Sequence, residues 1–186
     1  MKNVQNIDNY NFKPSDNVIL DTNIWLYNNG PQPPNEPYVG IYSRALFKIL
    51  NAKCQIFIDA LILSEFINRY SRIKYRLHLD AHQLKEKDLS FKDFRKTSDF
   101  TTIASDIGSD VRKILRFCKC IESGFELLDI NQVMSEFEQG NTDFNDQILS
   151  ELCKNKGITF VTHDSDFCNS HIHILTANTK LLQRTS

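Results

Sequence analysis

Four carboxylates stand at or just past the ends of short apolar runs: Asp21 in VILDTN (18–23), Glu65 in IFIDALILSEF (56–66), Asp146 in TDFNDQIL (142–149) and Asp164 in ITFVTHDSDF (158–167). If those runs are neighbouring parallel strands, their ends line one edge of a sheet and the acids meet there. Uncompensated, such a cluster repels itself and destabilises the fold. It becomes useful around a divalent cation such as Mg²⁺ or Mn²⁺, which takes oxygen ligands. An acidic cluster of this kind is equipment for hydrolysing phosphodiesters, because the cation activates water and offsets the charge that develops on phosphorus oxygens.

Each acid also has a purely local explanation. Asp21 can open a turn in D-T-N. Ser64 can cap a helix, with Glu65 complementing its positive end. Asp143 can be an N-cap with Asp146 at the third helical position, and Asp164 can open another turn. Their repeated placement is what local needs do not supply. Asp21 and Asp164 directly follow strand candidates, while Glu65 and Asp146 occupy first turns of helices that start at the same edge. Asp143 and Asp146, three apart, share one helix side, and Asp146 borders the apolar stripe of Ile148, Leu149, Leu152 and Cys153. A second pair, Asp164 and Asp166, flanks Ser165.

The elements that must carry these acids alternate strand and helix. Predicted strands are 17–22, 54–58, 125–130 (FELLDI), 158–162 and 172–176, with NNGPQPPNEP (28–37) breaking regular structure after the first. Predicted helices cover 40–52, with Ala45, Leu46, Ile49 and Leu50 on one side, and a long stretch from Leu61 with a stripe of Ile62, Phe66, Tyr70, Ile73 and Leu77. Others span 98–121, 131–139 and 143–156, the last closing at Gly157. Residues 81–97 are polar and carry no clear pattern. Strands separated by helices imply parallel pairing with right-handed crossovers. The predicted fold class is therefore α/β, a three-layer α/β/α with a mostly parallel sheet of four to five strands. Ligands in such sheets bind outside the carboxyl ends of the strands.

The chain has 186 residues, suited to a single domain over 1–186, with a helical, basic insertion around 68–124. Residues 69–96 carry nine Lys or Arg against four acids, although the net charge is −1. A basic arm beside an acidic metal site suits a polyanionic substrate, with Arg69, Arg72, Lys74 and Arg76 as candidate grips and Tyr70, Tyr75 and Phe91 as candidate base stackers, of which Tyr70 is better placed in the core. No apolar stretch reaches 18 residues and the N-terminal segment lacks a signal-peptide core, so the expectation is a cytoplasmic protein with no membrane association. Cys118 and Cys120 make only a C-x-C pair with no second pair, and His171 and His173 are not in a zinc pattern, which argues against a structural zinc at those residues. Phosphate-loop, dinucleotide and nucleophile-elbow motifs are absent.

At the four acidic motifs the sequence resembles the PIN domain family, most of whose members are metal-dependent ribonucleases, with VapC-type toxins as a well-known bacterial branch. The resemblance runs through V-I-L-D-T-N, S-E-F, D-F-N-D-Q-I-L and T-F-V-T-H-D-S-D-F. It implies that Asp21, Glu65, Asp146 and Asp164 are the catalytic, metal-binding acids for Mg²⁺ or Mn²⁺, with Asp143 and Asp166 as accessory metal ligands. Asn23 and Thr162 would support them. It further implies an RNA substrate, an antitoxin protein as partner if the chain is a toxin, and a homodimer. The segment between Glu65 and Asp146 is longer than in compact toxin members, and the Pro-rich loop is added. Two other classes stay open at this point: a structure-specific DNA nuclease, and a non-catalytic nucleic-acid-binding or scaffold module on the same fold.

Overall fold

A computed structural model describes residues 3–31, 36–140, 143–165, 167 and 172–184. Its centre is β2 (Asn17–Leu20), in which Val18, Ile19 and Leu20 are all buried. A strand buried on consecutive residues is covered on both faces, which is what a parallel sheet with crossover helices requires. The other strands are β1 (Val4–Asn6), β3 (Gln55–Ile58), β4 (Cys118–Cys120), β5 (Thr159–Val161) and β6 (Ile174–Thr176). They pair in the order β1-β6-β5-β2-β3-β4, and every pairing is parallel.

The sheet thus has six strands rather than four to five. The extra one is β1, which has three residues and a single buried apolar side chain, Val4, too little to leave a periodic signature. A predicted strand also moves. FELLDI is not a strand: Gly124 turns the chain with φ of 70°, Phe125–Leu127 form a 3-10 turn, and Phe125 and Leu127 are 53% and 74% exposed. The edge strand is instead β4, whose backbone pairs with β3 from Ile56↔Cys118 to Ile58↔Cys120. It claims residues that had been assigned to the end of the preceding helix.

Among the described residues the helices are α1 (Thr22–Asn29), α2 (Pro37–Asn51), α3 (Ala60–Ala81), α4 (Phe91–Phe94), α5 (Ser98–Leu115), α6 (Ile130–Glu138), α7 (Phe144–Lys156) and α8 (Thr179–Arg184). None is long and apolar enough to cross a membrane. Connections from β2 to β3 and β3 to β4 step one way along the sheet, and those from β4 to β5 and β5 to β6 step the other way. Right-handed crossovers then put α1, α2, α3 and α5 on one face and α6 and α7 on the opposite face. The packing follows, with α1 against α2 and α3, α3 against α5, and α6 against α7. The direction reverses between the neighbouring strands β2 and β5. That switch point opens a crevice beyond their carboxyl ends.

One core fills the space around the sheet, with Trp25, Tyr42, Phe66 and Phe160 completely buried. On α2 the buried side is Tyr42, Ala45 and Ile49, while Leu50 lies at the exposed edge. Helix α3 runs roughly 33 Å at 1.5 Å per residue, beyond the reach of the sheet. Its first half buries Ile62, Phe66 and Tyr70 as predicted, but Leu77 is 52% exposed. Tyr75 and Leu79 take its place, packing with Phe94 of α4 into a separate small core. The partner of this half is local, drawn from the polar 81–97 stretch, so the buried stripe rotates away from the sheet-facing one.

Candidate active site

The crevice is built around Asp21. It follows β2, continues the ladder through its N–H to Val161 O at 2.9 Å, and N-caps α1. Its Oδ1 accepts from Thr22 N at 2.6 Å, and its Oδ2 accepts from Thr162 Oγ1 at 2.6 Å and from Asn23 Nδ2 at 2.5 Å. Thr162, directly after β5 and fully buried, also accepts the Asp164 N–H at 2.9 Å. One hydroxyl therefore ties the acid at the end of β2 to the loop carrying the acid beyond β5. Asn23 closes the connection, accepting from His163 N at 3.2 Å.

Glu65 lies in the second turn of α3. Its Oε2 accepts from Thr22 Oγ1 at 2.9 Å and its Oε1 from Arg69 at 3.2 Å. Ser64 does not cap this helix. It is an exposed residue inside α3, and the N-cap is Asp59, which accepts from Leu61 N. Asp59 is absent from the predicted acids although it too directly follows a strand. Its buried carboxylate is occupied by the helix start. Asp146 occupies the third position of α7, whose N-cap is Asp143, with its Oδ1 accepting from Asn145 N at 2.8 Å. Asp166 lies outside the described residues.

The charges of these acids act on one another. Burial pushes the Asp21 carboxyl up to about 6. The charges of Glu65 and Asp164 add to that rise, and the hydrogen bonds from Thr162 and Thr22 oppose it. Burial also lifts Asp146, to about 7, with further repulsion from Asp21, Asp164, Asp143 and Glu65 in that order. A half-buried carboxyl that feels four others is strained in its charged form. Among the described residues no three of these carboxylates bring oxygens within 4.8 Å of one another. The donor set is all oxygen and anionic, so it fits a hard dication, whose charge relieves the repulsion.

The predicted basic grips are scattered along α3. Arg69 is paired with Glu65. Arg72 lies over the Phe91 ring at 4.2 Å and Lys74 reaches toward Tyr70, 5.9 Å from the ring centre. Arg76 is roughly 16 Å along the helix axis from Glu65. Among the described residues only Arg69 of the four touches the acids. Of the proposed base stackers, Tyr70 is in the core as its place in the α3 stripe implies, and Tyr75 and Phe91 are corrected. Tyr70 is core and donates to Asp110, Tyr75 is buried and donates to Leu89 O, and Phe91 sits under Arg72.

A neighbouring aromatic cluster went unpredicted. His163 packs on Tyr38 with ring centres 3.9 Å apart and meets the Tyr42 hydroxyl through Nδ1 at 2.9 Å. The same hydroxyl donates to Thr162 O and accepts from Ala177 N. Tyr27 stacks on Tyr42. The signal was available, because Tyr42 lies three residues before Ala45 and seven before Ile49 on the same side of α2.

A family model for the PIN domain matches residues 18–170. The chain belongs to the PIN domain family. No curated protein and no solved structure matches it. The PIN match begins in β2 and runs past Asp164, so it takes in Asp21, Glu65, Asp146 and Asp164. PIN domains are generally nucleases that use divalent metals, and the acidic crevice at the switch point is where such chemistry belongs in this fold.

Proposed function

We propose that this PIN domain is a Mg²⁺- or Mn²⁺-dependent endoribonuclease. The observation that carries the reading is the crevice at the β2–β5 switch point, where Asp21 is joined to Glu65 through Thr22 and to the Asp164 loop through Thr162, and where Asp146 feels the charge of all three. A fold keeps such a cluster at a cost in stability, and metal binding is the use that offsets it. Asp21, Asp146 and Asp164 would hold the metal, with Glu65 as ligand or water-orienting base and Asp143 and Asp166 accessory. The bound dication supplies an activated water and a positive charge beside the phosphorus oxygens. Thr162 and Asn23 hold the Asp21 carboxylate by hydrogen bonds that leave it no freedom to turn away. Arg69, the one basic side chain of α3 on the acids, is placed to exchange Glu65 for a phosphate, and the exposed cations further along α3 extend a salt-sensitive backbone track.

The test is cleavage of end-labelled RNA and DNA of one sequence by the full chain with Mg²⁺, Mn²⁺ or EDTA. We expect metal-dependent internal cuts in RNA, lost in Asp21→Asn and Asp146→Asn. Cleavage of DNA alone would replace the substrate, and full activity in both variants would remove the acids from the mechanism. Absence of Mn²⁺ binding by calorimetry would favour a binding or scaffold module. A toxin role, with a small antitoxin as partner, rests on the sequence resemblance. It predicts that expression arrests growth in a wild-type form and not as Asp146→Asn.

A further inference from the structure

Far from the acidic crevice, the end of α3 carries a second group of side chains with ligating atoms. His78 and His82 lie one turn apart, with ring centres 4.2 Å apart. Asp99, in the first turn of α5, puts Oδ2 3.6 Å from His78 Nδ1. One ligating atom from each of His78, His82 and Asp99 lies within 4.8 Å of the others, and among the described residues no other three His, Cys, Asp or Glu do this. His78 is thirteen residues past Glu65, roughly 20 Å along the helix axis, so the group is separate from the PIN acids.

We propose that His78, His82 and Asp99 form a second metal site, for a borderline first-row dication such as Zn²⁺, that pins the start of α5 to the end of α3. Three features beyond proximity support it. His82 Nδ1 lies 2.9 Å from the His78 carbonyl oxygen. Donating there leaves Nε2 as the free lone pair, the arrangement by which ligating histidines are commonly held. The His78 ring is packed against Phe94 with centres 4.7 Å apart, and Phe94 is completely buried, so this ligand is held in place before any ion arrives. Two imidazoles and one carboxylate with a solvent-facing side match the three-ligand pattern completed by water, and they select zinc-like ions over Mg²⁺, which prefers oxygen alone.

The geometry also says what the ion would do. Residues 82–97 leave α3, fold through α4 and return to α5, anchored on α3 by the small core of Tyr75, Leu79 and Phe94 and by the Tyr75 hydroxyl on Leu89 O. A bond between the two ends of that excursion closes it, and the binding free energy adds to the stability of the α3–α5 pair. Protons compete for the same nitrogen lone pairs, so binding strengthens as pH rises.

The experiment is Zn²⁺ titration by calorimetry into the EDTA-treated, dialysed full chain, with excess Mg²⁺ present to occupy the crevice acids. Co²⁺ absorption serves as a second readout. Wild type should bind one Zn²⁺ with a Kd on the order of micromolar or tighter. His82→Ala and Asp99→Asn should weaken it at least tenfold, and Asp146→Asn should leave it unchanged. Because His82 and Asp99 are exposed, both variants should match wild-type melting in EDTA and lose only the Zn²⁺-dependent rise. Equal binding by wild type, His82→Ala and Asp99→Asn would overturn the site. So would loss of binding in Asp146→Asn, or a wild-type Kd weaker than about 100 μM, which would leave a plain His78–Asp99 ion pair.

Discussion

Replacing Asp21 by Asn should make the metal-free protein more stable while abolishing cleavage. The carboxyl rises from 3.8 to about 6 on folding. At 1.36 kcal/mol per pKa unit, its ionised form costs the fold about 3 kcal/mol at pH 8. The sign follows from proton counting. Below about pH 4 the group is protonated in both states and the cost is absent. It enters as pH rises, because the unfolded chain ionises first, and is complete above the folded value of about 6. Asn keeps the acceptor for Thr22 N, and Thr162 can reverse its hydroxyl to accept from the new amide. The Asn23 amide then faces a donor, a loss of about 1 kcal/mol. The net gain is about 2 kcal/mol at pH 8, or a rise of roughly 4–8 °C in Tm. At pH 5 only about half of the charge cost is present, so the gain should shrink by about 1.5 kcal/mol. Urea melts of both proteins in EDTA at pH 5, 6.5 and 8 measure this directly. Saturating Mn²⁺, at a hundred times Kd, should then add about 3 kcal/mol to wild type and nothing to the variant, reversing their order. An Asp21→Asn protein less stable than wild type at pH 8 in EDTA, with a gap that does not vary with pH, would refute the reasoning.

Thr162→Val keeps shape but removes both the donor to Asp21 and the acceptor for Asp164 N. Single-turnover cleavage should slow by roughly 10- to 100-fold, and an unchanged rate would show that the hydroxyl does not position the acids. Arg69→Ala should change stability by less than about 1 kcal/mol, since its pair with Glu65 is half exposed. It should also tighten Mn²⁺ binding by freeing Glu65 while weakening RNA binding and its salt dependence; an unaltered Mn²⁺ titration would place Glu65 away from the metal. Tyr42→Phe deletes the hydroxyl that joins Thr162 O, His163 and Ala177 N. A loss of about 1–3 kcal/mol by denaturant melt is expected, because the Ala177 N–H is left without its partner.

The sheet edge was legible where strands are buried on both faces. Val18–Leu20 and Thr159–Val161 are central, so their apolar runs are unbroken and the acids after them stand out. Asp146 was legible from its place beside the α7 stripe. The edges were not legible. Strand β4 reads C-K-C, with Lys119 and Cys120 exposed, and only its backbone pairing makes it a strand. FELLDI has the apolar content of a strand and spends it at the surface, where composition and burial part company. The late half of α3 was misread because its partner, Phe94, arrives from a polar stretch with no periodicity. His78 and His82 show helical spacing in the sequence, but Asp99 joins them only through the return of α5.

The bond from Thr162 to Asp21 spans 141 positions of the chain, and the strands β2 and β5 that bring the two together are immediate neighbours in the sheet. During synthesis the first half of the crevice leaves the ribosome long before the second. Pairing at such separation is slow to form. A nascent polypeptide that lacks β5 holds Asp21 without Thr162 or Asp164, and so leaves the ribosome with its acidic crevice still in two pieces.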